Sequence, residues 1–171
     1  MITKIGLIWV LDQKLLAVFK KTIWKYILPG GKLEEGETET DCLIREIGEE
    51  LGDIVRKGFE KEIAKGNVRY LDEFGEKIES GEYLNLRCYF AEEIRHDLKD
   101  KIMHNSNDNI IAHRWIDGNY ESEGLSLASI LEYQVLPYLR VRDKVIPYLR
   151  PSDPFDCYLG HSWLNPDFFH H

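Results

Sequence analysis

Cysteine is scarce in this chain, long apolar runs are missing, and no basic stripe appears. Each absence removes a class of protein. Cys42, Cys88 and Cys157 are odd in number and scattered, with no CxxC pair. That argues against a disulfide framework and a structural zinc site, and a reducing cytoplasm fits best. The apolar N-terminal run, Ile5 to Leu11, is too short to span a membrane. It lacks a basic region and a small-residue cleavage site, so it reads as a strand. No other stretch reaches membrane length. Without clustered Lys and Arg, nothing points to nucleic acid as a partner.

What is present suits one domain. The chain has 171 residues, 43% of them hydrophobic, enough for a real core. It carries 30 acidic against 22 basic residues, a formal net charge of −8. Between Gly31 and Asp53 stand nine acids (Glu34, Glu35, Glu37, Glu39, Asp41, Glu46, Glu49, Glu50, Asp53) against Lys32 and Arg45. That one segment holds nearly all the excess negative charge, and bound cations there would invert the local field.

Around it the N-terminal half reads as β-structure. Residues 3–11 and 14–20 suggest a hairpin about Asp12-Gln13, and 23–28 a third strand running into Pro29-Gly30-Gly31. Thr38 reads as a helix N-cap, with Asp41 closing a capping box and Gly52 as a left-handed C-cap, so a helix is predicted over 39–51. Strands are predicted over 54–65, 67–73, 83–91 and 110–116, with loops over 74–82 and 98–109. A second helix is predicted from about Ser126, with Leu127, Ile130, Leu131 and Val135 on one side. VLPYLR at 135–140 returns as VIPYLR at 145–150; two copies are too few for a solenoid, so two short helical turns are expected, each interrupted or started at its proline. The aromatic tail, 151–171, is too rich in Phe, Tyr and Trp for a disordered segment.

The predicted helix 39–51 carries the chemistry. At about 100° per residue, Glu46, Glu49 and Glu50 share one sector about 100° wide. Leu43, Ile44, Ile47 and Leu51 form the adjacent apolar stripe. A core face therefore lies beside a carboxylate face. Three like charges at these spacings repel in water, whereas a hard divalent cation takes such oxygens as ligands. Arg45 can pair with Glu49 or with Glu37 and so fix carboxylate orientation. Gly30 and Gly31 allow a sharp turn that points a carbonyl or an amide at a ligand, and Lys32 offers a point charge to a phosphate oxygen. An acidic pair alone would be read as a solvated helix face.

The whole arrangement is more specific. Gly31, Glu37, Arg45, Glu46, Ile47, Glu49, Glu50 and Gly52 fall at the spacings of the Nudix box, and the chain resembles the Nudix hydrolases, most closely MutT-like members. One position departs: the final apolar residue is Asp53, with Ile54 a residue late. The resemblance extends over about residues 3–140, taken as a domain at 1–140 with a C-terminal extension at 141–171.

That resemblance implies an α/β (α+β) chain with the Nudix fold, an α/β/α sandwich with a mixed β-sheet. It implies hydrolysis of a nucleoside diphosphate linked to another moiety, with Mg²⁺ or Mn²⁺ as cofactor. Glu46, Glu49, Glu50 and the carbonyl of Gly30 would be metal ligands. Glu46 and Glu49 would be catalytic, with Arg45 and Glu37 as the orienting pair, and Gly31, Lys32 and Tyr70 would contact substrate. Glu46 is one choice of general base; loop acids Asp97, Asp100 and Asp108 are others, since the position six residues before Trp115, a glutamate in many relatives, is Asn109 here. His113 falls in a strand context, and none of the six histidines forms a metal-ligand spacing.

Relatives acting on ADP-ribose often carry a proline about sixteen residues past the box, and this chain has none from residue 30 to 136. Tyr70, 17 residues past Asp53, leans weakly toward dinucleoside polyphosphates. The first expectation is a nucleoside triphosphate, oxidised forms included, cleaved to a monophosphate and pyrophosphate. The alternatives are a dinucleoside polyphosphate or nucleotide sugar, and, in another class, a non-catalytic nucleotide-binding regulator. The expected partner is a nucleotide, with no nucleic acid or membrane. The tail is expected to pack on its own domain or on a second copy in a homodimer.

Overall fold

The computed structural model describes residues 1–105 and 109–141. The order is β1 (Ile2–Leu11), β2 (Lys14–Lys20), β3 (Lys25–Ile27), β4 (Gly30–Lys32), α1 (Glu39–Leu51), α2 (Asp53–Ala64), β5 (Arg69–Lys77) and β6 (Tyr83–Glu92). A 3₁₀ turn (His96–Lys101), β7 (Ile110–Ile116), a π-helical turn (Leu131–Val135) and α3 (Leu136–Val141) follow. The strands form one seven-stranded mixed sheet along the path β3-β2-β1-β6-β5, with β4 on β1 and β7 on β2.

Strand β1 is the spine. It runs parallel to β6 over its length and pairs with β2 only at Val10–Leu15 and Leu11–Lys14. Beyond that hairpin the two strands part. Strand β4 takes the free edge of β1 at Lys4, Ile5 and Gly6, while β3 and β7 pair with β2. The fork between them opens the cavity described below.

Alternation along β1 builds two cores. Ile5, Leu7, Trp9 and Leu11 pack with Leu43, Ile47, Leu51, Val55 and Phe59 of α1 and α2. Ile8 and Val10 face the other way, into a cluster with Leu131, Val135 and Leu139. Helices on both faces of a mixed sheet make the expected α/β/α sandwich. Trp9 anchors the first layer, with Phe59 edge-on at 4.9 Å and its indole N–H donated to the Ile94 carbonyl at 3.0 Å.

Several expected elements differ. Residues 54–65 form α2, not a strand. Val55, Phe59 and Glu62 are buried at helical spacing, and Gly58 leaves room for Leu98, which an added Cβ would approach to 2.4 Å. The β-branched Ile54 and Val55 make the segment look strand-like, and packing overrides that propensity. Gly52 has φ 97° and ψ 166°, so it turns the corner between two helices rather than ending one in a left-handed cap. Asp53, the departure from the box, opens α2, where a carboxylate favours the positive helix end, and it accepts from Arg56 at 3.3 Å. Thr38 caps α1 as expected, accepting the Asp41 N–H at 3.0 Å.

Strand β5 runs on through Lys77, so the loop is shorter than predicted, and residues 98–109 begin in the 3₁₀ turn. The last helical stretch starts at Ser129 and widens into π geometry before Pro137. There the Leu136 N–H reaches back five residues to Leu131, which accommodates the donor that proline lacks. The second VIPYLR copy, the aromatic tail and Asp108 lie outside the described residues.

Candidate active site

Helix α1 packs its apolar stripe into the core, and of its three carboxylates Glu46 and Glu50 line the cavity. The three do not share one environment. Glu50 is 6% exposed and accepts the Gly30 N–H at 2.6 Å. Glu46 lines the cavity beside it, whereas the Glu49 side chain is 53% exposed.

Arg45 joins the set. Its Nε and Nη2 form a fork to Glu37 at 2.7 and 3.1 Å, Nη1 reaches Glu46 at 2.8 Å and Glu49 at 3.4 Å, and Nη2 also donates to the Lys32 carbonyl at 3.1 Å. The guanidinium hydrogen bond, assisted by its charge, holds the Glu37 carboxyl down at about 2. Burial pushes the neighbouring Cys42 thiol up to about 12, so it is a packing residue and not a nucleophile.

The glycines act by having no side chain. Gly30 has φ 146°, and a Cβ there would fall 2.0 Å from the Ile5 carbonyl oxygen. A Cβ on Gly31 would fall 2.2 Å from Glu46 Oε1. Gly31→Ala should therefore displace the Glu46 carboxylate, the end of a flexible side chain, and leave the backbone in place. We expect turnover to fall at least about tenfold with little change in melting temperature. Kinetics beside a thermal melt check this, and unchanged turnover would show that the position of Glu46 is unimportant.

The cavity has a volume of about 620 Å³. Its apolar wall includes Ile23, Ile27, Leu28, Leu84, Leu86 and Ile130, and its polar wall carries Glu46, Glu50 and Glu76 with Lys4, Lys20, Lys25 and Lys32. Gly30, Gly31 and Lys32 thus line one cavity with two of the box glutamates.

Tyr70 does not join them. It lies on the α1 side of the sheet, edge-on to Tyr89 and under the Arg87 guanidinium at 4.5 Å, while Arg87 and Tyr89 both bond Glu39. The bulge between Tyr70 and Asp72 sets which face it meets, a feature invisible to spacing. Asp97 is tied to Arg95 at 2.9 Å and is exposed, as is Asp100; neither lines the cavity. Asn109 does line it, holding the β2–β3 turn by a reciprocal pair of bonds to Thr22, each 2.9 Å.

Sequence reasoning misses the cavity's Lys4, Lys20 and Lys25, which stand outside any motif; only strand alternation hints at Lys4. It also misses the seal on the end of α1, where Met103 N–H reaches the Leu51 carbonyl at 2.9 Å and His104 Nδ1 lies 2.9 Å from the Glu50 carbonyl. His113 sits 2.8 Å from His104, and burial lowers its pKa.

The donor set fits a hard divalent cation. All the candidate ligands are oxygens, Gly31 leaves space at Glu46, and Arg45 and the Gly30 N–H orient the carboxylates. Magnesium keeps several waters and needs only one or two carboxylates directly, which suits glutamates held apart. The tighter triad among the described residues, Asp12, Glu93 and His96, lies elsewhere, on the surface at the β1–β2 turn.

A mixed sheet lies between helical layers, and a carboxylate-bearing helix opens onto a lysine-lined cavity. The family model of the NUDIX domain matches residues 3–119. The chain therefore belongs to the Nudix hydrolase family, whose members are pyrophosphohydrolases.

Solved structures agree on the fold. The E. coli ORF135 protein is similar at 20% identity over 90% of this chain and 95% of that one, with a TM-score of 0.51. A NUDIX hydrolase from Nitrosomonas europaea has 15% identity over 88% and 98%, with a TM-score of 0.56. A bifunctional NMN adenylyltransferase/ADP ribose pyrophosphatase from Francisella tularensis has 17% identity over 81% of this chain and 40% of its own, with a TM-score of 0.55. No curated protein sequence matches the chain significantly. Among the described residues no helix is long and apolar enough to cross a membrane.

Proposed function

We propose that this hydrolase uses Mg²⁺ or Mn²⁺ and acts on a nucleoside triphosphate, giving the monophosphate and pyrophosphate. One observation carries the substrate class: the cavity joins an apolar wall, suited to a nucleobase, to four lysines set among Glu46, Glu50 and Glu76. A chain of three phosphates matches that density of positive charge better than a neutral second moiety would.

In this reading Glu46, Glu49, Glu50 and the Gly30 carbonyl would hold the cation, which when bound would neutralise phosphate charge and acidify water. Arg45 keeps Glu46 and Glu49 oriented, and Glu37 keeps Arg45 in place. Glu46 is the base: its carboxylate takes the proton from the attacking water. The water oxygen bonds to the α- or β-phosphorus as the P–O bond bridging them breaks, and the bridging oxygen leaves with the other product, pyrophosphate or the monophosphate, which takes up the balancing proton. Lys32 and its neighbours bind the phosphate oxygens and limit the charge that builds up.

A panel of (d)NTPs, oxidised (d)NTPs, dinucleoside polyphosphates and nucleotide sugars, assayed with each metal, tests the proposal. Pyrophosphate release should be most efficient from a triphosphate. Preference for a dinucleotide or sugar nucleotide would replace this substrate, and turnover of none would favour a nucleotide-binding regulator.

A further inference from the structure

We propose that Lys4 binds the pyrophosphate portion of the substrate inside the cavity, as a specificity-determining residue outside the Nudix box. The inference rests on the nucleotide reading above and deepens it.

Lys4 occupies the β1 face that continues as Gly6, Ile8 and Val10, all neutral, so a charge at this position is the exception on that face. It is half-buried and lines the cavity together with Glu46 and Glu50. In the antiparallel β1–β4 ladder it stands directly opposite Lys32, and like charges so placed destabilise a sheet. Lys20 adds a third positive charge to the same cavity.

Burial, and then repulsion from Lys20, lower the Lys4 pKa against the opposing pull of Glu46 and Glu50. A polyanion entering between Lys4, Lys20 and Lys32 would relieve that repulsion, and each ammonium would gain charge-assisted hydrogen bonds to phosphate oxygens. Three converging lysines match a diphosphate group better than a single phosphate.

The test uses the full chain and two probes, inorganic pyrophosphate and a nucleoside monophosphate, with Mg²⁺ present. Binding is followed by calorimetry and, where turnover is measurable, by product inhibition. Lys4→Met should weaken pyrophosphate binding at least about tenfold and leave the monophosphate within about twofold, while Lys4→Arg recovers most of the loss. A merely structural lysine would lower the melting temperature on removal and weaken both probes alike. Equal weakening of both probes, or weakening of neither, overturns the assignment. If Lys4→Met does not fold, Lys4→Gln supplies the same comparison. A wild-type enzyme inactive on every triphosphate defeats the triphosphate reading while the pyrophosphate arm still decides Lys4. An active enzyme whose Lys4→Met variant binds pyrophosphate normally defeats the Lys4 assignment alone.

Discussion

Glu49→Gln is expected to lower turnover by at least about a hundredfold while leaving the fold intact, the scale of loss when one preorganised electrostatic group is removed. The exposure of Glu49 makes the experiment clean. At 53% exposed, its side chain is no part of either core, and it meets Arg45 through long contacts of 3.4 and 3.5 Å one helical turn away. Glutamine keeps the shape and removes one anionic oxygen. A cation site built from Glu46, Glu49 and Glu50 loses a full unit of negative charge, so Mn²⁺ titration should report weaker binding in parallel with the kinetic loss. Wild-type turnover in this variant would reject the site. A large drop in melting temperature would instead mean that Glu49 supports the fold, which its exposure argues against.

Arg45→Met should cost between about tenfold and a hundredfold in turnover, the usual range for a residue that orients metal ligands. Arg45 bonds Glu37, Glu46, Glu49 and the Lys32 carbonyl together, so its loss leaves neighbouring carboxylates to repel one another. Arg45→Lys should recover little, because an ammonium lacks the planar fork that holds Glu37 through two nitrogens. A lysine variant with wild-type kcat would show that charge alone suffices.

The same pair predicts a pH dependence. Glu37 is held at about 2 against an ordinary 4.5. Its folded pKa is depressed, so its contribution to stability is present in full above about pH 4.5 and is lost as pH falls toward 2. Melting temperatures measured from about pH 6 down to about pH 2.5 should fall less steeply in Arg45→Met than in wild type. Parallel curves would mean that the pair contributes nothing measurable.

Much of this site is legible in the amino-acid sequence. Glu37, Arg45, Glu46, Glu49 and Glu50 lie within one loop and one helix, where regular geometry and local spacing dictate which side chains meet. The charge count and the apolar stripe of α1 likewise depend only on neighbours along the chain. Helix α2 is harder to read, since β-branched residues near its start favour a strand locally and burial against Trp9 and Leu98 decides the outcome.

Tyr70 shows the limit from another side. Its distance from the box is a matter of sequence, but the β5 bulge and the α1 side of the sheet set where its ring goes. The cavity lysines arrive from β1, β2, β3 and β4, and only the parting of β1 from β2 brings them together. By itself the sequence determined the carboxylate helix and its clamp, because those rest on contacts a few residues apart, and the resemblance of its box to the Nudix pattern implied the class of bond broken. The tertiary structure alone decided which charges face which cavity, because that depends on strand pairing and sheet faces, between residues far apart in the chain.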